Sequence, residues 1–257
     1  MKLLVLILFL GYFLMGCNAK TKDTVIIETI EITKDTIDTI EKDTLNISKD
    51  FVLGKFDYKV DSTFVKVSTK YANKTIYLKD EVYRAFLQMC DAATKDGISF
   101  KIISGTRNFY EQKAIWKRKW SAYKNLNPKE RALKILEYSS MPSTSRHHWG
   151  TDIDLNSLNN SYFNSGKGLK EHKWLMANAN SFGFYQVYTE KTNGRTGYQL
   201  EKWHWSYLPL ASQYLAFYNA NIGEKDISGF KGSELVSQLH IIENYVNGIS
   251  EKAINYN

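Results

Sequence analysis

Two short segments, residues 145–154 and 201–205, concentrate side chains that bind divalent metals. Both segments contain imidazoles and carboxylates. These are His147, His148, Asp152 and Asp154 in the first segment, and Glu201 and His204 in the second. Two imidazoles and one carboxylate form a ligand set that leaves a fourth zinc position open for water. A further carboxylate beside the last ligand can accept a proton from that water. The sequence therefore predicts a zinc hydrolase.

The first segment leaves the choice of ligands open. His147 and His148 are adjacent, so their side chains point in different directions and at most one of them binds the metal. Gly150 lets the chain bend between the histidines and the two aspartates. Asp152 and Asp154 share one face of a short predicted strand, because side chains alternate along a strand. Asp152 is a candidate for orienting a ligand imidazole, and an exchange of roles with Asp154 stays open.

The second segment carries a geometric requirement. Glu201 and His204 are three residues apart, and the sequence around Trp203 and Trp205 is typical of an extended chain. In an extended chain this spacing puts the two side chains on opposite faces. A bulge or turn near Lys202 is therefore needed if both are to reach one metal ion.

A third segment, Ser104-Gly105-Thr106-Arg107, turns the chain after a β-rich run. Loop ends of this kind often carry function. A guanidinium there can stabilise the oxyanion of a tetrahedral intermediate, or hold a substrate carboxylate. The alternative is a surface arginine that caps a backbone carbonyl, and the residues alone favour it.

The hydrophobic pattern and the turn residues predict mixed helices and strands from Phe51 to the C-terminus. Helices are predicted at 78–97, 109–122, 128–138 and 170–182 and over most of the chain from residue 210 on. Strands are predicted at 98–104, 153–155, 184–188 and 198–207. Since these elements do not alternate as regular βαβ units, an α+β fold is favoured over a doubly wound sheet.

The N-terminus predicts export and a lipid anchor. An apolar run at residues 3–14 is too short for a comfortable membrane span. It ends in Leu-Met-Gly-Cys, which resembles a bacterial lipoprotein signal with lipid on Cys17; the alternative is a plain secretory signal cut near Ala19. The expected segments are a signal peptide at 1–16, a solvated tether at 17–50 and the folded domain at 51–257. This organisation predicts a protein of the cell envelope, anchored to the membrane by lipid and facing the periplasm or the surface.

The formal net charge of +7 and the isoelectric point of about 9.1 favour an anionic partner. A bacterial cell wall satisfies that requirement as well as a nucleic acid does. Of these two the cell wall is favoured, and a nucleic-acid partner is not expected.

Taken together, the three motifs resemble the bacterial zinc D,D-peptidases. This D-alanyl-D-alanine carboxypeptidase group includes the vancomycin-resistance enzymes and shares its fold with hedgehog signalling domains. The family pattern runs Ser-x-His-x-x-Gly-x-Ala-x-Asp and then Glu-x-x-His, with an upstream Ser-Gly-x-Arg. The matching residues are Ser104, Gly105, Arg107, Ser145, His147, Gly150, Asp154, Glu201 and His204. The sequence departs from the pattern at Asp152, where the family has a small residue.

The resemblance implies a hedgehog/DD-peptidase-like α+β fold, with a small, mostly antiparallel sheet and flanking helices. The residues implied are His147, Asp154 and His204 as Zn²⁺ ligands, Glu201 as catalytic base and later acid, Arg107 as transition-state stabiliser, and Ser145 and Gln112 as substrate contacts. The implied substrate is a peptidoglycan stem peptide, cut before its terminal D-alanine.

Two rival functions stay open. One is an endopeptidase that cuts at L-alanyl-D-glutamate or at a cross-link, and the other is a non-catalytic wall-binding lipoprotein that contains zinc.

Overall fold

The structure, a computed structural model, describes residues 47–192 and 194–256. The predicted signal peptide, Cys17 and the tether up to residue 46 lie outside the described residues. They stay predictions, which mass spectrometry of the mature N-terminus would test. A short helix, Lys49–Val52, spans the predicted start of the domain at residue 51. None of the helices in the described part of the chain has the length and apolar character that a membrane crossing requires.

Helices and strands mix along the described residues, which form an α+β fold, as predicted. The helices are α1 (Lys49–Val52), α2 (Asp80–Lys95), α3 (Phe109–Ala122), α4 (Pro128–Leu136), α5 (Gly166–Asn178), α6 (Leu208–Asn221) and α7 (Glu251–Ile254). The strands are β1 (Phe64–Lys66), β2 (Tyr77–Lys79), β3 (Ile102–Ser104), β4 (Asp152–Leu155), β5 (Phe184–Gln186) and β6 (His204–Tyr207). β1 and β2 form an antiparallel pair, and a four-stranded antiparallel sheet has the order β3-β4-β6-β5.

Local sequence explains where α3 and α4 begin. The Asn108 side chain accepts a hydrogen bond from the Glu111 backbone N–H, and the Glu111 carboxylate accepts one from the Asn108 N–H. Asn127 caps α4 by accepting from the backbone N–H of Glu130, with Pro128 as the first helical residue. Both arrangements satisfy N–H groups that a helix start leaves unpaired. Both predicted helix starts are confirmed.

Other predicted boundaries are wrong where distant segments pair. The helix predicted from residue 78 begins at Asp80, because Leu78 lies in β2 opposite Val65 of β1. The strand predicted from residue 98 is confined to Ile102–Ser104, the part that pairs with β4. The strand predicted at 198–207 begins only at His204. Strand pairing depends on partners far away in the chain, which a local pattern does not encode.

A 3₁₀ helix at Arg146–Trp149 leads into β4 and is held by the aromatic core. Trp149 is fully buried, and its indole N–H donates to the carbonyl of Val52 in α1 at 3.0 Å. Its ring lies 6.3 Å from the rings of both Tyr214 and Tyr218 on α6. Contacts with α1 and α6, two helices far apart in the chain, therefore hold this segment in place.

Candidate active site

The register of the central strands brings the two metal-binding motifs together. β4 and β6 are antiparallel neighbours, with Asp154 opposite His204 and Asp152 opposite Ser206. Directly opposed residues in such a pair have Cβ atoms about 4.5–5.5 Å apart. The His204 Nδ1 atom accordingly lies 3.1 Å from Asp154 Oδ1, although fifty residues separate them in the chain.

His147 reaches the same point from the 3₁₀ helix. Gly150 ends this helix with φ +74°, a left-handed conformation that glycine adopts without steric cost. A Cβ atom at Gly150 would also lie 2.4 Å from the Phe64 ring. The turn directs the chain into β4, so that His147 Nε2 lies 3.4 Å from Asp154 Oδ2.

The three side chains offer ligand atoms that all lie within 4.8 Å of one another, and all three residues are buried. His147 Nδ1 donates to the Gly105 carbonyl at 2.9 Å, which leaves the Nε2 lone pair free. His204 Nε2 is 2.9 Å from Asp152 Oδ1, so a proton on Nε2 leaves Nδ1 free on the side of Asp154. In their neutral forms, which metal binding requires, both imidazoles turn an unprotonated nitrogen toward Asp154. This donor set fits Zn²⁺, and the backing oxygens fit the usual support of ligand histidines.

The charges at this point are those of a metal-binding cluster. Burial alone would raise the pKa of Asp154, but His147 and His204 outweigh it and hold the pKa below its usual range. Burial alone would lower the pKa of His204, but hydrogen bonds to Asp152 and Asp154 raise it to about 9. Without a metal, a proton on His204 compensates the buried carboxylates. A divalent cation bound by these atoms would provide the same compensation.

His148 faces away from this cluster. Its Nδ1 donates to the Arg107 carbonyl at 2.7 Å, and its Nε2 accepts from the Ser143 backbone N–H at 3.1 Å. Burial lowers its pKa to about 3, so the ring is neutral and both nitrogens are used. The ambiguity between the adjacent histidines is resolved by these two backbone contacts, which leave His147 as the imidazole beside Asp154.

The turn that the second motif requires is present. Lys202 and Trp203 form a turn, and the His204 backbone N–H contacts the Glu201 carbonyl at 3.3 Å. Glu201 and His204 consequently face the same side, with 3.7 Å between Glu201 Oε2 and His204 Nδ1. Burial, reinforced by Asp154, raises the pKa of Glu201 to about 8 against the opposing effect of His204 and Arg107. A carboxylate with increased proton affinity therefore lies beside the candidate ligands.

Arg107 lines the same cavity, which has a volume of about 660 Å³. Its backbone N–H donates to the His147 carbonyl at 3.1 Å. Its guanidinium donates to Gln112 Oε1 at 3.0 Å and to the Ser104 hydroxyl. Gln112 is itself anchored, since its amide donates to the Ser140 carbonyl at 2.7 Å. Gln112, predicted as a substrate contact, thus lines the cavity and also orients Arg107.

Ser145 is placed differently. It is buried, its hydroxyl has no hydrogen-bond partner among the described residues, and it is not among the residues that line the cavity. A substrate contact by Ser145 therefore stays a prediction, whereas the other predicted site residues meet at the cavity or directly behind it.

Sequence reasoning missed a buried ion pair behind His204. Arg146 Nε donates to Asp152 Oδ1 at 3.0 Å, and both side chains are at most 2% exposed. Asp152 also accepts from the hydroxyls of Thr151 and Ser206, at 2.5 and 3.0 Å. A buried carboxylate where the resembling family has a small residue requires a compensating cation. The unusual Asp152 was therefore the signal in the sequence. It could have identified the nearby Arg146 as the compensating cation.

This ion pair yields a prediction about stability. Asp152→Ala should lower the free energy of unfolding of the metal-free protein by about 3–5 kcal/mol, because Arg146 would stay buried without its partner. The double variant Arg146→Leu/Asp152→Ala removes both charges and should recover most of that loss. Urea denaturation followed by circular dichroism measures both effects. A single variant within about 1 kcal/mol of the unmodified protein would contradict the assignment of a strongly coupled pair.

Comparison with known proteins identifies a family whose model matches more than half of the chain. A model of the family described as VanY, D-alanyl-D-alanine carboxypeptidase, matches residues 75–210. The chain is 31% identical over 134 residues to putative carboxypeptidase YodJ of Bacillus subtilis, covering 51% of this chain and 46% of that protein. It is 30% identical over 139 residues to a D-alanyl-D-alanine carboxypeptidase of Enterococcus faecium, covering 54% and 40%. The chain thus spans less than half the length of these curated relatives.

Two solved structures match part of the chain, each at 22% identity and with a TM-score below 0.5. VanYB in complex with D-alanine-D-alanine is 22% identical, with a TM-score of 0.48, and covers 62% of this chain and 89% of that chain. The LD-carboxypeptidase LdcB is 22% identical, with a TM-score of 0.49, and covers 75% and 78%.

Proposed function

Since the chain belongs to the VanY D-alanyl-D-alanine carboxypeptidase family, we propose that it is a zinc-dependent peptidase. We propose that it hydrolyses the terminal D-alanine of peptidoglycan stem peptides. The observation that carries the proposal is the convergence of His147, Asp154 and His204 within 4.8 Å, with the Glu201 carboxylate beside them. A structural zinc site needs no such carboxylate, because its four positions are closed by ligands.

The chemistry divides among the side chains that face the cavity. Zinc held by the three ligands would lower the pKa of a water molecule and polarise the scissile carbonyl. Glu201 accepts the proton of the attacking water at a carboxylate oxygen and passes it to the leaving amine. Without a metal, burial raises the pKa of Glu201 to about 8, so this carboxyl group binds a proton more readily than an exposed one.

Arg107 and Asp152 act on charge and orientation. The Arg107 guanidinium, held by Gln112 and Ser104, stabilises the negative charge that develops on the carbonyl oxygen. Asp152 fixes the His204 ring through Nε2, so that Nδ1 stays directed at the metal position. Because these groups are held before substrate binds, little reorganisation is needed during the reaction.

The test is digestion of muropeptides by the zinc-loaded protein, followed by mass spectrometry. The expected product lacks one terminal D-alanine, and a chelator should abolish its formation until zinc is restored. Products cut at L-alanyl-D-glutamate or at a cross-link would replace the proposal with the endopeptidase. Binding of muropeptides that persists with chelator and yields no product would replace it with the wall-binding lipoprotein.

A further inference from the structure

The cavity that contains the candidate catalytic groups carries more positive than negative side chains. Its cations are Lys74, Arg107, Arg118 and Lys119, and its carboxylates are Asp154 and Glu201. Asp154 is occupied by the two imidazoles, and Glu201 is the candidate base. The cations of this cavity are therefore in excess of the carboxylates available to pair with them, which favours a substrate with its own negative charge.

Lys119 differs from the other cations in its surroundings. It lies on α3 seven residues after Gln112, on the face that lines the cavity, and it is partly buried. Its Nζ donates to the Ser139 hydroxyl at 2.5 Å. Within the described part of the chain, this neutral hydroxyl is its hydrogen-bond partner and no carboxylate forms an ion pair with it. An ammonium group has thus lost part of its hydration without gaining an anion in return.

The electrostatic surroundings of Lys119 agree with this description. Burial lowers its pKa, and Arg118 and Arg107 lower it further, while Glu201 acts in the opposite direction. Glu201 is therefore near enough to influence Lys119, although it does not pair with it. An incoming carboxylate would relieve both the desolvation and the repulsion between the cations.

If Arg107 stabilises the reacting carbonyl, it is poorly placed to bind the substrate carboxylate as well. Its guanidinium is already held by Gln112 and Ser104, beside the ligand cluster. In a peptide cut at its last bond, the terminal carboxylate belongs to the next residue, whose Cα lies about 3.8 Å beyond the preceding one. Lys119 is a second cation in the same cavity, farther along α3, and is available for that terminal carboxylate.

We propose that Lys119 binds the C-terminal carboxylate of the substrate, with Ser139 holding its ammonium group in position. This inference rests on the proposed peptidase function and deepens it. A free carboxylate next to the scissile bond is present in a carboxypeptidase substrate and absent at an internal bond. Lys119 is accordingly the residue that restricts cleavage to the end of the chain.

The experiment compares two synthetic peptides that end in D-Ala-D-Ala, one with a free carboxylate and one with a C-terminal amide. The unmodified protein should cleave the free acid with a kcat/KM about 10- to 100-fold higher, the range expected for a charged hydrogen bond. Lys119→Met should lose most of this preference through a higher KM for the acid. Lys119→Arg keeps the charge and should keep most of the preference.

Lys117→Met is the matched control, because it removes one positive charge from an exposed position of the same helix. It should leave the acid-to-amide preference unchanged. Lys119→Gln, with a side chain that can still hydrogen-bond, replaces Lys119→Met if the latter does not fold. A folded neutral variant that keeps the full preference would overturn the role of Lys119. If the unmodified protein cleaves neither peptide, the proposed function itself fails, and this inference fails with it.

Discussion

Glu201→Ala should retain bound zinc and lose about 10²-fold or more of turnover, the usual contribution of a positioned general base. The side chain lies beside His204, at 3.7 Å, but is not one of the three residues whose ligand atoms converge. Its removal therefore deletes the proton acceptor and leaves the metal ligands in place. Turnover is measured as release of D-alanine from a stem peptide, and zinc by elemental analysis.

Two variants sharpen this experiment. Glu201→Gln keeps the shape of the side chain but cannot accept the proton, so it should be as inactive as Glu201→Ala. Glu190→Ala removes a carboxylate from an exposed position of the described chain and should leave turnover unchanged. Near-normal activity of either Glu201 variant, with zinc bound, would remove Glu201 from the mechanism.

His204→Ala should lose bound metal and, with it, all measurable activity. The variant deletes one of three ligand atoms and also removes the partner through which Asp152 acts. Loss of one ligand from a three-residue set leaves two protein ligands, too few for a stable catalytic zinc site. Elemental analysis after dialysis measures the zinc, and circular dichroism shows whether the fold is retained.

His172→Ala is the matched control for this variant. His172 lies on α5, is not among the cavity-lining residues, and is less buried than His204. Its variant should keep a full complement of zinc. A His204→Ala protein that still binds one zinc ion per chain would place the metal elsewhere and would end the proposal.

Several local features are readable from the chain because the groups involved are close in sequence. The caps at Asn108 and Asn127 satisfy N–H groups three residues away, so their helix starts follow from the residues themselves. The need for a turn near Lys202 also follows from local geometry, since an extended chain cannot turn Glu201 and His204 to the same side. The structure contains that turn.

Other features depend on partners that the sequence does not place. Asp152 stands next to the metal motif, yet its hydrogen bond from the Ser206 hydroxyl requires the β4–β6 register. Lys119 is one lysine among many in a basic chain, and only the packing of α3 against the cavity distinguishes it. A side chain's hydration and its neighbours are properties of the folded molecule.

The sequence by itself determined the types of side chain available for chemistry, namely imidazoles and carboxylates at spacings that suit an open zinc site. It also determined the α+β class, through the order of its helical and extended patterns. Only the tertiary structure decided which of the two adjacent histidines faces the metal position. His148 is held by the Arg107 carbonyl and the Ser143 N–H, while His147 faces Asp154. The physical reason is that a metal site needs atoms to meet within a few ångströms. Strand register and long-range packing fix that meeting point, and neither is encoded by residues close together in the chain.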